Sequence, residues 1–251
     1  MKTAVLMKQV PDTETKIQPK ADGSGIDFTG VKFVMNPYDE FAVEEAIKMG
    51  GESTVITMGP ERTVEGLRTA LAMGIQKAIH VDTGDKWYDP FTTATVLAKV
   101  LKEGSYDVIL CGKQAIDGDN SQVTQMVAEL LNAPQVVIVE KVEMAGDKVK
   151  VTRRVSGGTK EIYEVGFPVV LGAEKGLNTP RYASLPGIMK AKSKPIDKKN
   201  AEELLAGTQS LIQFTNYQLP PERAAGKKIE GEPAQQAKEL ARLLREEAKV
   251  I

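Results

Sequence analysis

The chain has 251 residues, 33 Lys and Arg against 34 Asp and Glu, one cysteine (Cys111) and one histidine (His80). A formal net charge of -1 gives no general attraction to nucleic acid. One cysteine excludes an internal disulfide framework, a Cys-cluster zinc site and a cysteine-ligated iron–sulfur cluster, and one histidine leaves a catalytic triad or a histidine metal site without its usual parts.

In chain order, Thr3 to Met7 reads as a first strand; the opening Met1 to Lys8 is too short for a secretory core. No apolar run approaches the roughly 20 residues that cross a bilayer, so the expectation is a soluble cytoplasmic protein without membrane insertion. After a Gly/Asp-rich excursion around Asp22 to Gly25, Asn36 and Pro37 introduce a helix over Tyr38 to Met49. Asn36 is its cap and Pro37 lies in the first turn, where a missing donor costs little. Phe41, Ala42, Ala46 and Ile47 then share a face. Ser53 to Met58 is a strand, and Gly59-Pro60 turns the chain into a helix with Val64, Leu67 and Leu71 at helical spacing. Lys77 to Val81 is a short strand and Asp89-Pro90 starts a helix ending near Lys102. Tyr106 to Cys111 is a dense apolar strand, and a helix runs from about Asp119 to Leu131. The alternation predicts an α/β fold, a mainly parallel, doubly wound sheet with helices on both faces.

After Pro134, β segments over Gln135 to Glu143, Lys148 to Val155, Lys160 to Val165 and Val169 to Gly172 form a small β-rich addition. Ala145-Gly146-Asp147 and Ser156-Gly157-Gly158 are its turns. Gly176 to Lys192 carries apolar residues around Pro180 and Pro186, with Gly187 as a flexible position, and reads as a presented loop. Five lysines fall between Lys190 and Lys199, opposed by Asp197 alone. Beyond Ser193, Pro195, a Lys/Asn/Glu-rich run and Pro220-Pro221 speak against a compact continuation. The last helix places Ala237, Leu240, Ala241, Leu244 and Ala248 on one face, to dock on its own core or on a partner. The expected division is a nucleotide-binding α/β unit over 1–192, including the 176–192 loop, and an extended C-terminal arm with its helix over 193–251.

The leading pocket candidate joins the strand ending at Gly112 to the polar loop from Lys113 to Thr124. A helix start near Asp119 presents backbone donors suited to phosphate, with Gly112 and Gly118 permitting close approach. The spacing matches neither a P-loop nor the dinucleotide fingerprint, and an ordinary strand-to-helix turn is the competing reading. Leu6 to Thr13, Met58 to Thr63 and Asn36 to Asp39 converge on the same sheet edge, where parallel folds bind ligands. Asn36 and Asp39 serve equally well as first-turn caps. Cys111 reads as a buried small side chain, His80 as structural, Asp117 and Asp119 as loop caps or a ribose contact, and Trp87-Tyr88 as a surface-loop anchor. The lysines after Met189 are either a solvated face or, beside Leu185, a basic surface for an acidic partner.

Taken in order, the N-terminal strand with Lys8, Met35-Asn-Pro-Tyr-Asp-Glu-Phe-Ala-Val-Glu-Glu-Ala46, Leu67-Arg-Thr-Ala-Leu-Ala-Met-Gly74, Gly112-Lys-Gln-Ala-Ile-Asp117 and Leu177 to Lys192 span nearly all of the first 192 residues. This combination resembles the electron transfer flavoprotein beta subunit family. The resemblance implies a heterodimer whose alpha subunit holds most of an FAD, while this chain binds AMP, or a second FAD in electron-bifurcating members. It implies nucleotide contacts at Leu6, Asn36, Pro37, Tyr38, Asp39 and Met58. Further contacts would run along Gly112, Lys113, Gln114, Ala115, Ile116, Asp117, Gly118, Asp119, Asn120, Ser121, Gln122 and Val123.

The resemblance also implies a recognition segment for an acyl-CoA dehydrogenase or related flavoenzyme. Leu185 would be its inserted anchor, Arg181 and Tyr182 its base, and Pro186, Ile188, Met189 and Lys190 its flank; a quinone-linked oxidoreductase would receive the electrons. The chain is then a carrier subunit without catalytic residues of its own. Val10-Pro-Asp-Thr13, Ile116-Asp-Gly-Asp119 and Gln122-Val123 look closer to bifurcating members. Asn36-Pro-Tyr-Asp-Glu-Phe-Ala-Val-Glu-Glu, Arg68-Thr-Ala-Leu and Tyr182-Ala-Ser-Leu-Pro-Gly-Ile-Met-Lys look closer to ordinary ones. AMP with simple transfer is preferred, and NADH-dependent bifurcation is the alternative. A stand-alone adenine-nucleotide-binding regulator is the different-class reading, and a small-molecule enzyme using Asp117 or Asp119 a third.

Overall fold

Lys2–Leu6 (β1) buries both of its faces: Ala4 and Leu6 point into one apolar layer and Val5 into the other, as a central strand of a covered sheet requires. A computed structural model describes residues 1–223 and 225–251. Four short strands follow β1, namely Gln9–Pro11 (β2), Gln18–Pro19 (β3), Ile26–Asp27 (β4) and Phe33–Met35 (β5). They pair antiparallel as β2 with β5 and β3 with β4, so the expected excursion is a nested hairpin outside the main sheet.

The chain continues through Pro37–Met49 (α1), Glu52–Gly59 (β6), Val64–Met73 (α2), Lys77–Asp82 (β7), Pro90–Gly104 (α3), Val108–Gly112 (β8) and Val123–Leu131 (α4). Gln135–Ala145 (β9), Lys148–Arg154 (β10), Lys160–Gly166 (β11) and Val169–Ala173 (β12) come next. Leu185–Ser193 (α5), Asp197–Asn200 (β13), Ala201–Leu205 (α6) and Pro233–Glu246 (α7) complete the order. The nine-stranded sheet runs β11-β10-β9-β12-β8-β1-β6-β7-β13. Every neighbouring pair from β9 to β13 is parallel, and β10 and β11 extend β9 as an antiparallel ribbon.

Helices cover both faces. Ala42, Val43 and Ala46 of α1, Leu67 and Leu71 of α2 and Ala191 of α5 pack with Val5, Val55 and Leu110 on one side. Leu97 and Leu101 of α3, Val127 of α4 and Leu205 of α6 pack with Leu6, Ile56 and Ile109 on the other. Each fully buried branched side chain here contributes about 1.5–3 kcal/mol, so tertiary burial rather than helix propensity fixes the layers.

Three expectations are corrected. The helix expected from Asp119 begins at Val123, because Asp119 and Ser121 take φ of 50° and 49°, left-handed backbone that a right-handed helix does not accommodate. The presented loop holds a helix in its second half. Ser184 caps α5 by accepting the Gly187 N–H at 3.1 Å, and Pro186 sits in the first turn, where proline starts helices. Gly187 provides close packing rather than flexibility: a Cβ there would lie 2.4 Å from the Ala72 carbonyl oxygen at the end of α2.

The third correction is that compact structure continues beyond Ser193. β13 pairs with β7 as the sheet's edge, and α6 buries Ala201 and Leu205. Three of the lysines expected on a solvated face or a docking surface find partners within the chain, Lys194 and Lys199 half-buried and Lys198 still exposed, while Lys190 and Lys192 stay on the surface. Lys194 donates to the Ile75 carbonyl at 2.8 Å, Lys198 pairs with Glu61 at 3.0 Å and Lys199 with Glu103 at 2.8 Å.

The arm after α6 is pinned by Asp89, the residue expected to start α3. One carboxylate oxygen accepts the Thr92 N–H at 2.7 Å as a cap, and the other accepts those of Leu211 and Ile212 at 2.7 and 3.2 Å. Trp87 anchors the arm as well, meeting Phe214 edge-on with ring centroids 5.2 Å apart. No residue of α7 is buried, and its ties run to the preceding segment: Gln236 donates to the Ile229 carbonyl and Lys227 pairs with Glu247.

Candidate functional site

β1 and β8 lie side by side, yet the chain leaves β1 toward β6 and leaves β8 toward β9. This is the topological switch point, and the crevice beyond its strand ends is where open α/β sheets receive ligands. The residues expected at the sheet edge gather here. Leu6 ends β1, Met58 lies one residue before the end of β6, Gly112 ends β8, and Asn36 to Asp39 form the entry to α1. Lys113 to Gln122 cross the edge as a loop, and Val123 opens α4.

Asn36 holds that loop instead of capping its own helix. Its amide donates to the Gln114 carbonyl at 2.9 Å and its side-chain oxygen accepts the Ile116 N–H at 3.2 Å, with no side-chain cap bond to α1. Asp39 likewise turns away from a first-turn role. Its two oxygens accept the Lys8 N–H at 2.7 Å and the Gly112 N–H at 2.8 Å, clasping the ends of β1 and β8. Burial pushes its pKa up to about 6, against the opposing pull of these bonds. Gly112 is required by close approach, since a Cβ would lie 2.4 Å from Asp39 Oδ1. Gly118 meets no such crowding, its nearest neighbour being 3.5 Å away.

The two lysines at the strand ends are both paired. Lys8 reaches Asp117 at 2.7 Å, and Lys113 reaches Glu174 at 2.7 Å with its ammonium 4.7 Å from the Tyr38 ring centroid. Burial alone would lower the Lys113 pKa, but the bond and charge of Glu174 together with Tyr38 outweigh it, so the ammonium is held above its ordinary value. Asp119 accepts from the Gln114 amide at 2.7 Å, and Ser121 donates to the Lys113 carbonyl at 2.8 Å. Asp117 through Asn120 stay exposed, and the first turn of α4 has no side-chain cap. Its leading N–H groups therefore keep donor capacity at the positive end of the helix. Uncapped donors beside carboxylates able to accept hydroxyls fit a phosphorylated ribose; they offer no nucleophile–base pair.

The discounted residues lie close by. Cys111 is buried, its thiol pushed up to about 12 by burial. Buried His80 donates from Nε2 to the Gly59 carbonyl at 2.9 Å. Among the described residues no group of His, Cys, Asp and Glu could hold a metal ion, and no helix is long and apolar enough to cross a membrane.

Comparison with known proteins matches residues 25–204 to the electron transfer flavoprotein domain. Over 260 aligned residues the chain is 41% identical to the electron transfer flavoprotein subunit beta of Bacillus subtilis (strain 168), covering all of both. It is 41% identical to that of Mus musculus over 92% of this chain and 93% of the relative, and 40% identical to that of Syntrophomonas wolfei over 100% and 98%. The chain belongs to the electron transfer flavoprotein beta subunit family. In this family member the second set of expected residues forms a ledge far from the crevice in sequence, yet strapped to the same helix α1. Arg181 makes a two-pronged pair with Glu44. Asn178 donates to Glu45 at 2.8 Å and to the Phe41 carbonyl at 2.9 Å.

Beyond that base, Tyr182 is 99% exposed and Leu185 80% exposed, with Ile188, Met189 and Lys190 also on the surface. Arg68 of α2 holds the far end of α5 through the Ala191 carbonyl at 2.6 Å. Glu44 and Glu45 were absent from the sequence-based site. Their one signal was two adjacent acids within an otherwise apolar helical face.

Proposed function

We propose that this electron transfer flavoprotein beta chain pairs with an alpha subunit and carries electrons from an acyl-CoA dehydrogenase or related flavoenzyme to a quinone-linked oxidoreductase. The observation that carries the reading is Leu185, a large apolar side chain exposed at the start of a helix whose base is braced by Arg181–Glu44 and whose far end is braced by Arg68. A rigidly presented leucine suits a partner that must dock and leave repeatedly, because little ordering is needed at each encounter.

AMP in this chain, at the carboxyl edge between Asn36–Asp39 and the 112–123 segment, is the accompanying cofactor reading. The uncapped start of α4 supports it. Held mainly by the alpha subunit, FAD supplies reversible electron acceptance. This chain's part is to hold the nucleotide, brace α1 and present α5. The exposed apolar residues of the arm, Leu211, Phe214 and Leu219, with α7 beyond, are the surface we assign to the alpha subunit.

Denaturing release of nucleotides from the co-expressed complex tests the cofactor reading. One FAD and one AMP per heterodimer support it, two FAD molecules replace AMP with a second flavin, and a colourless homodimer sinks it. Reduction of the complex by a dehydrogenase, lost on Leu185→Ala, tests the carrier reading.

A further inference from the structure

The Asp39 carboxylate sits between the two strand ends at the switch point, in the crevice where a doubly wound sheet receives its ligand. Each oxygen takes one strand-end N–H, and the side chain is buried, the residue being 5% exposed. No slack remains around it, for a Cβ on Gly112 would lie 2.4 Å from Oδ1 and 2.6 Å from Tyr38 Cβ. A phosphate entering this crevice would have to displace the carboxylate or face its charge with little water between them, and like charges at such range repel strongly. The cations that would draw a phosphate inward are also committed, Lys8 to Asp117 and Lys113 to Glu174.

We propose that Asp39 is an internal anion that closes the β1–β8 crevice to ligand phosphate, and so steers the phosphate of a bound nucleotide to the remaining donors of the edge, after Asp117 and in the first turn of α4. The proposal rests on the nucleotide reading above. It makes Asp39 a positioning residue rather than a direct contact, one that acts by occupying donors and by excluding charge.

The test uses the full-length chain labelled with 15N, with adenosine and AMP as probes. Amides that move with AMP but not with adenosine mark the phosphate. The expected set falls within residues 118–125, with Lys8 and Gly112 unmoved; AMP-specific shifts at Lys8 and Gly112 overturn the proposal. A second arm needs no nucleotide. In Asp39→Ala the two N–H groups are freed, and inorganic phosphate at constant ionic strength should give saturable shifts at Lys8 and Gly112 and raise the melting temperature. The unaltered chain should show no shifts at Lys8 and Gly112, and any rise in its melting temperature should be the smaller. A folded Asp39→Ala chain indifferent to phosphate also overturns the proposal, and Asp39→Ser takes its place should the alanine variant fail to fold. If neither adenosine nor AMP moves any amide, the nucleotide reading fails, while the phosphate response of the variant still decides whether Asp39 fills an anion position.

Discussion

Arg181 grips Glu44 with two parallel bonds, Nε to Oε2 and Nη2 to Oε1, each 2.8 Å. Glu44 belongs to α1, whose first turn supplies Asp39 to the sheet edge, so one helix braces both that edge and the segment carrying Leu185. Burial raises the Glu44 pKa and the Arg181 bonds outweigh it, leaving the carboxyl below its ordinary value. Stability from this pair is therefore present above the unfolded-state pKa and is lost as pH falls through the lower folded value. Arg181→Ala should destabilise the chain by about 1–3 kcal/mol, the cost of an orphaned buried acceptor. Urea unfolding at neutral pH measures it, and the loss should shrink under acid conditions. Lysine at this position should rescue incompletely, having no planar fork.

Leu185→Ala should leave the melting temperature nearly unchanged, because the side chain is already in water. If docking buries it, the loss is about 1.5–3 kcal/mol, roughly a ten- to hundredfold fall in kcat/KM with the dehydrogenase as donor. Nucleotide content should be unaffected; a variant that loses nucleotide would reassign Leu185 to a structural role.

Asn36→Ala removes both side-chain bonds that hold Gln114 and Ile116. The loop should loosen and AMP retention should fall, with a stability loss of about 1–3 kcal/mol. Isothermal titration with AMP, alongside thermal unfolding, separates the two effects. Unchanged affinity would mean that the loop keeps its shape without Asn36.

Asp89→Ala removes a helix cap and the clasp on Leu211 and Ile212 together. The cap alone is worth about 0.5–2 kcal/mol. Limited proteolysis should cut between residues 206 and 232 faster than in the unaltered chain, and assembly with the alpha subunit should weaken. An unchanged cleavage rate would show that Trp87 and Phe214 suffice to hold the arm.

The Asp39 carboxyl should titrate near 6, from an ordinary 3.8. A raised acid pKa means the folded chain binds the proton more tightly than the unfolded chain. The contribution of Asp39 to stability thus falls as pH rises from about 4 to about 6, by roughly 3 kcal/mol, and is level above both values. Carboxyl 13C shifts followed against pH report it directly. A midpoint below 4 would show that the Lys8 and Gly112 bonds prevail over burial.

Much of the site's location was legible from local pattern, because strand ends such as Leu6 and Gly112 follow from apolar runs, and parallel topology collects them on one edge. The bonds at that edge were not legible. Asn36 fits a cap by its position before Pro37, yet a loop 78 residues away competes for both of its polar atoms and wins. The lysines near Lys199 looked like one basic run; Lys198 and Lys199 find Glu61 and Glu103, partners that only the placement of β13 beside β7 supplies.

By itself the sequence determined the alternation of strands and helices, the doubly wound class, the family and the prominence of Leu185, since each is written in local periodicity, turn chemistry or a linear motif. Only the tertiary structure decided that Asp39 joins two strand ends, that Arg181 rests on Glu44, that Gly187 is there for contact with α2, and that Asp89 holds the arm. The physical reason is common to all four. A buried donor, acceptor or close backbone approach is resolved by whichever group the fold brings within about 3 Å, and separation along the chain carries no record of that choice.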